Sequence, residues 1–324
     1  MRAIQVREPG GPEVLRLAEL PDPAPGARDA VVRVAAAGIN FIDVYHRSGR
    51  YPLPLPFTPG QEGAGVVVAV GAAVTDLRPG DRVGWADGLG GYAELAALPS
   101  DRLVPLPDAV ADRDAAAALL QGMTAHYLSH DTRPIGPDDT VLVHAGAGGV
   151  GLLLTQIAER RGARVITTVS TVEKETLSRA AGADEVIRYT ETDFAAEVRR
   201  LTGGAGLQVV YDSVGRATFD GSLRCLAPRG MLVLYGGSSG PVPPVDPMEL
   251  SRYGSVFLTR PTLRHYVADR AALLRRAGEV LGWVTAGTLR LRVHASYPLG
   301  EAARAHRELE ARATAGKLLL LPPD

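Results

Sequence analysis

At 324 residues, with 46% hydrophobic and 22% charged side chains, the chain has the composition of an ordinary globular protein and a length that favours two domains over one. A formal net charge of −1, from 35 basic and 36 acidic residues, excludes the positive surplus on which general nucleic-acid and membrane-surface binders depend. The single cysteine, Cys225, excludes an internal disulfide or a thiolate metal cage within one chain; with no long apolar span and no signal-like N-terminus, a reducing, cytoplasmic setting is expected.

The first third reads as short β-branched segments punctuated by Gly and Pro: Val31 to Val34, Gly63 to Val70, Arg82 to Trp85 and Tyr92 to Ala96. Pro79 and Gly80 supply turn dihedrals just before the Val83 run. From Asp112 to Gln121 the sequence turns alanine-rich and helix-favouring, and from Thr140 strands alternate with helical segments, the pattern of a parallel sheet with crossover helices. Strands are expected at Thr140 to His144, Arg164 to Val169, Glu185 to Arg188, Leu207 to Asp212, Met231 to Tyr235 and Ser255 to Thr259. A helix Asp269 to Ala286, a strand Leu291 to Ala295, a helix Leu299 to Arg312 and a strand Lys317 to Leu321 follow, and are expected to return to the first domain.

One stretch carries chemistry by itself. The apolar run Val141 to Val143 leads through His144 and Ala145 into Gly146, Gly148, Gly149, Val150 and Gly151, and then into the helical Leu152 to Arg161. Gly146, Gly148 and Gly151 fit G-x-G-x-x-G in its required context of strand, turn and helix. Glycines let backbone approach a pyrophosphate, and the helix start offers unpaired N–H groups and a positive dipole end. The next strand ends Thr167-Thr168-Val169-Ser170 with no acid at its tip to hold a free ribose 2′-hydroxyl. Ser170 and Lys174 there suit a 2′-phosphate, which points to NADPH; Glu173 is a competitor for Lys174.

A catalytic zinc needs Cys, His or acidic ligands clustered in the first lobe with one position left open. Residues 1–124 have no cysteine, and His46 is their one histidine, so no metal is expected. Without zinc, the alkoxide formed from a simple ketone, with a conjugate acid near water's pKa of about 15.7, lacks a stabiliser. A quinone yields a phenolate-like oxygen with a pKa of about 10, and an enone a delocalised enolate. Hydrogen bonds suffice for either.

The residues resemble, over the whole chain, the zinc-free quinone oxidoreductases, the zeta-crystallin-like branch of the medium-chain dehydrogenase/reductase superfamily. The resemblance rests on Ala37 to Tyr45 with Arg47 to Pro52, on Pro59-Gly60-Gln61-Glu62-Gly63, on Gln121 to Ala125 and on Tyr211 to Gly215; Gln61 stands where zinc-containing relatives carry a metal histidine. It implies that Asn40, Tyr45, Tyr51 and Gln61 line the substrate pocket, where Tyr and Asn donate to a quinone oxygen and rings stack on a flat acceptor. It assigns cofactor contacts to Thr124, Gly149, Val150, Ser170, Lys174, Tyr189, Ser213, Gly237, Phe257 and Lys317. Gly146, where such relatives often have alanine, is expected to leave pyrophosphate binding intact.

The fold expected from all this is α/β: a β-rich, chaperonin-10-like catalytic domain, residues 1–124 and 264–324, with a Rossmann doubly wound parallel-sheet domain, 125–263, between. Substrate is expected in the cleft between the lobes. The resemblance also implies a homodimer through cofactor-domain edge strands, with Gly254 to Arg260 the candidate edge. The expected activity is NADPH-dependent quinone reduction without zinc. The alternatives are an NADPH-dependent enone, alkenal or enoyl-thioester reductase and, from another class, an NADPH-binding RNA-binding or structural protein, against which the charge balance argues.

Overall fold

A computed structural model describes residues 1–323, in two compact units: residues 1–123 with 266–323, and Thr124–His265. The first unit is built on a seven-stranded sheet whose organising strand is Asp29–Ile39. Its run of Val and Ala is buried almost throughout, because it pairs antiparallel with Lys317–Leu321, Glu62–Val70 and Leu95–Pro99. Arg82–Trp85 and Val104–Pro105 extend the sheet on one side, and Val293–Pro298 lies parallel to Lys317–Leu321 on the other. Ile4, Val32, Val67, Trp85, Leu98 and Leu320 belong to one core, each no more than 1% exposed. An opening ribbon, Arg2–Gln5 with Arg16–Glu19, is an element that the sequence reading passed over.

The strand expected at Tyr92 to Ala96 lies at Leu95–Pro99, since pairing with Asp29–Ile39 sets Arg33 against Leu95 and Asp29 against Pro99. Tyr92 belongs instead to the loop before it, its peptide N–H donating to the Pro59 carbonyl. Gly60, at φ +97°, lies so close that a Cβ there would stand 2.5 Å from the Tyr92 ring.

In the second unit six parallel strands lie side by side in the order Glu185–Arg188, Arg164–Val169, Thr140–Val143, Leu207–Asp212, Leu226–Leu234, Phe257–Thr259. Crossover helices Gly149–Arg160, Val172–Ala180, Phe194–Leu201 and Phe219–Cys225 connect them. Val141, Leu142 and Val143 are wholly buried, as a central parallel strand covered on both faces requires. The fifth strand starts ahead of the expected Met231 because Leu226 already pairs with Leu207 before the register shifts, Arg229 taking up the irregularity at φ +63°. Phe257–Thr259 forms one edge, pairing within the sheet to Leu226–Leu234, and Glu185–Arg188 forms the other; Phe257 is 55% exposed. No helix among the described residues is long and apolar enough to cross a membrane.

Candidate active site

The glycine turn sits at the C-terminal end of the central parallel strand. Gly146 N–H donates to the Thr168 carbonyl at 3.0 Å, fixing the turn to the neighbouring strand, and Ala145 takes a positive φ of 53°. A Cβ at Gly151 would stand 2.2 Å from the Ala145 carbonyl oxygen, so helix and turn touch through bare backbone. Thr171, Asp193 and Asp246 cap the starts of their helices with side-chain oxygens, whereas Gly148 brings no capping side chain to Gly149–Arg160. Its first N–H groups therefore lack a side-chain cap, the arrangement that suits an anion. Gly146 has no spare room either: a Cβ there would meet Thr167 at 2.6 Å and Ser178 Oγ at 2.8 Å.

Ser170, Lys174 and Tyr189 gather at one end of the sheet. Arg188 is in register with Val169, Tyr189 N–H donates to the Val169 carbonyl at 3.1 Å, and Thr190 Oγ1 donates to the Ser170 carbonyl at 3.1 Å. Lys174 stands in the first turn of Val172–Ala180, its peptide N–H held by the Thr171 cap. Glu173 is exposed, and its own backbone N–H and the Thr171 hydroxyl hold its carboxyl below the usual range.

Ser213 and Gly237 lie on adjoining loops after the fourth and fifth strands, joined by Ser238 N–H to the Ser213 carbonyl at 3.1 Å and Ser239 N–H to that of Val214 at 2.8 Å. Beneath them Asp212 is wholly buried, accepting from the N–H groups of Val214 and Gly215 and from the Thr218 and Ser222 hydroxyls. Since Ser222 donates to Asp212, it accepts from His144 Nε2, leaving His144 Nδ1 to accept from Thr168 Oγ1 at 2.9 Å. Burial lowers the His144 pKa, against the pull of Asp212, so the ring is neutral in that tautomer. Thr124 is buried in the helix Asp112–Tyr127, and Phe257 stands on an edge strand.

The first unit holds the remaining candidates. Asn40 caps the short helix Phe41–Arg47, and its amide is fully engaged: Nδ2 donates to Glu62 Oε2 at 2.8 Å and to the Gly38 carbonyl at 3.3 Å. Asn40 Oδ1 accepts from Lys317 Nζ at 2.8 Å and Gln121 Nε2 at 3.2 Å. Lys317 also bonds directly to Glu62, which is wholly buried and takes the Leu120 N–H on its second oxygen at 2.7 Å. The amide that was expected to reach a quinone oxygen thus already has four partners inside the protein, and the Lys317 ammonium, expected among cofactor contacts, is enclosed with it. Tyr45 and Tyr51 pack edge to face with centroids 5.1 Å apart, and the Arg50 guanidinium lies 4.5 Å from the centre of the Tyr45 ring. Tyr45 is buried, while Tyr51 is 37% exposed and Gln61 half-buried.

Sequence reasoning missed the groups behind these residues: Glu62 and Gln121 as partners of Asn40, His144 and Asp212 under the glycine turn, and the buried Asp43. Asp43 had a local signal, since Asn40-x-x-Asp43 fits the reach of a side chain from the third helical position back to the cap N–H. Among the described residues no group of three His, Cys, Asp or Glu side chains is placed to hold a metal ion.

Two family models match: one described as zinc-binding dehydrogenase over residues 149–272, and one as alcohol dehydrogenase GroES-like domain over residues 26–108. The chain is 47% identical to a quinone oxidoreductase of Pseudomonas aeruginosa, with 99% of each chain covered. It is 41% identical to a 2-haloacrylate reductase of a Burkholderia species, over 99% of this chain and 98% of that one. Among solved structures, Escherichia coli quinone oxidoreductase complexed with NADPH superposes with a TM-score of 0.97 at 42% identity, covering 99% of this chain and 100% of that one. A mycobacterial protein complexed with NADPH gives a TM-score of 0.96 at 51% identity, with the same coverage.

Proposed function

We propose, from the premise that the chain belongs to the quinone oxidoreductases of the medium-chain dehydrogenase/reductase superfamily, that it is an NADPH-dependent quinone reductase working without zinc. The observation that carries the cofactor half is the bare glycine turn at the head of an uncapped helix, with a serine and a lysine in place of an acid beyond the next strand. Bound NADPH supplies the hydride. Gly146, Gly148, Gly149, Val150 and Gly151 would hold its pyrophosphate, Ser170, Lys174 and Tyr189 its 2′-phosphate end, and Ser213 and Gly237 the nicotinamide ribose side.

Among the described residues no three metal-ligating side chains are grouped, and we assign stabilisation of the developing phenolate-like oxygen to hydrogen bonds. Gln61 and Tyr51 are the donors we assign to it, with Tyr45 a flat surface for the ring. Asn40, its amide committed to Glu62 and Gly38, orders the wall beside them. Catalysis is then positioning and oxyanion stabilisation, without a dedicated metal. A second acceptor class, a conjugated acid or enone, is favoured by the likeness to the 2-haloacrylate reductase.

Oxidation of NADPH, followed at the nicotinamide absorbance with 1,4-benzoquinone, 9,10-phenanthrenequinone and an alkenal in parallel, tests the reading. Quinone turnover with NADPH preferred over NADH is expected, and turnover with the alkenal alone would move the assignment to enone reduction. Lys174→Ala should raise the KM for NADPH by roughly tenfold to a hundredfold, the worth of one charge-assisted hydrogen bond, and leave that for NADH unchanged. An equal effect on both cofactors would remove Lys174 from the 2′-phosphate site. A homodimer through the exposed Phe257–Thr259 edge and a cytoplasmic setting complete the proposal. Light scattering of wild type and of Leu258→Pro, which removes a peptide N–H from that strand, tests the first: a variant that stays dimeric would exclude that edge.

A further inference from the structure

Behind the substrate-side residues lies a buried chain of polar groups that the proposed reaction does not use. Asp43 is wholly buried. Its Oδ2 accepts from the Asn40 peptide N–H at 2.8 Å and from the Tyr92 hydroxyl at 3.0 Å, and its Oδ1 accepts from the Gln61 peptide N–H at 3.2 Å. One carboxylate therefore ties the start of the helix Phe41–Arg47 to the segment entering the strand Glu62–Val70.

The groups behind it run in one direction. Arg47, locked to Glu310 by two 2.8 Å bonds, donates to His306 Nδ1, since a guanidinium has no acceptor. His306 Nε2 then carries the hydrogen and donates to Tyr92 Oη at 3.1 Å, which frees the Tyr92 hydroxyl hydrogen for Asp43. Every dipole in the chain points its positive end at the carboxylate. Arg47 does not release a proton, so the chain is a strut and not a proton path from solvent.

We propose that Asp43 is a positioning residue for quinone reduction: its carboxylate, braced through Tyr92, His306 and Arg47, holds the peptide N–H groups of Asn40 and Gln61 and so sets the substrate-side segments against each other. The inference rests on the assignment of Asn40 and Gln61 to the substrate site. It also predicts a pH dependence. Burial raises the Asp43 pKa to about 6, against the lowering effects of the Asn40 N–H, Tyr92, Lys317 and the Gln61 N–H. The titratable and charged groups facing this cluster are Tyr92, His306, Arg47 with its partner Glu310, Glu62 and Lys317. Burial and the Asp43 charge hold the Tyr92 hydroxyl well above its usual range, and burial with the Arg47 charge lowers His306 to about 3. Neither titrates near pH 6. Protonating Asp43 turns one acceptor oxygen into a donor, so a peptide N–H or the Tyr92 hydroxyl loses its partner.

The test compares wild type, Asp43→Asn and Tyr92→Phe. In wild type, kcat/KM for quinone should fall on the acid side of about pH 6 while the Kd for NADPH stays flat. Asp43→Asn should lose that acid limb and lower kcat roughly tenfold or more through misplacement, with the NADPH Kd unchanged. Tyr92→Phe removes a bond that lowers the Asp43 pKa, so its limb should move to higher pH and provides the test if Asp43→Asn does not fold. The Asn40 and Gln61 amide resonances should titrate with the same midpoint in wild type, a readout independent of substrate. Amides that titrate without any quinone turnover would support the hold of Asp43 on the Asn40 and Gln61 peptides and overturn only the functional reading. Amides that do not titrate, an Asp43→Asn enzyme with wild-type kcat/KM and its acid limb intact, or an unshifted limb in Tyr92→Phe, would overturn the proposal.

Discussion

Replacing Lys317 with alanine is expected to destabilise the protein by about 3–5 kcal/mol, the usual cost of removing one partner from a buried ion pair, and to lower its melting temperature by roughly 10 °C. Lys317 is 2% exposed and its ammonium touches only oxygen partners, Asn40 Oδ1 and the Glu62 carboxylate. Without it Glu62, wholly buried, keeps the Asn40 amide and the Leu120 N–H but loses the one cation that the described residues bring to it. Space for this pair is made by Gly38, where a Cβ would stand 2.4 Å from Glu62 Oε2 and 2.7 Å from Lys317 Cε. The paired change Glu62→Gln with Lys317→Met removes both charges and keeps an acceptor for Leu120, and should recover more than half of the loss. Thermal and urea unfolding of the three proteins decides it. A Lys317→Ala protein as stable as wild type would mean that the pair brings the fold no net support.

Gly151→Ala should cost cofactor binding two orders of magnitude or more, because the new Cβ meets rigid backbone and not a side chain that can turn away. At 2.2 Å from the Ala145 carbonyl oxygen and 3.0 Å from its carbon, the methyl group has to push the helix start off the glycine turn. The stability cost should be the modest one of overpacking, about 1–3 kcal/mol, so the protein should remain folded and measurable. Gly278→Ala, where nothing lies within 4 Å of the added Cβ, is the matched control and should leave NADPH affinity untouched. Fluorescence titration with NADPH reads both. Wild-type affinity in Gly151→Ala would show that the pyrophosphate does not rest on this turn.

What could be read from the chain beforehand follows how local each signal is. Strands such as Arg164–Val169 and Leu207–Asp212 fall where expected, because a parallel strand covered on both faces is a short apolar run bounded by turns. The glycine turn was legible for the same reason, all its parts lying within a dozen neighbouring residues. The start of Leu226–Leu234 was not, since its bulge depends on a partner strand and on Arg229 adopting a conformation unusual for its side chain. The polar cluster of the first unit was half visible: its residues could be named, but their partners could not. Tyr92 and His306 meet across 214 positions and Asn40 and Lys317 across 277, and no periodicity connects residues so far apart. Hence the Asn40 amide was read as a donor awaiting substrate when its hydrogens already had acceptors.

The interleaving of the first unit bears on how the molecule is made. Asp29–Ile39 leaves the ribosome early, yet one of its partner strands is Lys317–Leu321, near the other end of the chain. Thr124–His265 is continuous in sequence, whereas in the first unit Glu62–Val70 and Leu95–Pro99 are at hand early and only Ala37, Gly38 and Ile39 wait for their partners in Lys317–Leu321. The open edge of the nascent first unit is thus confined to the C-terminal end of Asp29–Ile39. A stalled or truncated product lacking Lys317–Leu321 would keep every strand of the second unit but leave Ala37–Ile39 and Val293–Pro298 without the strand that joins them.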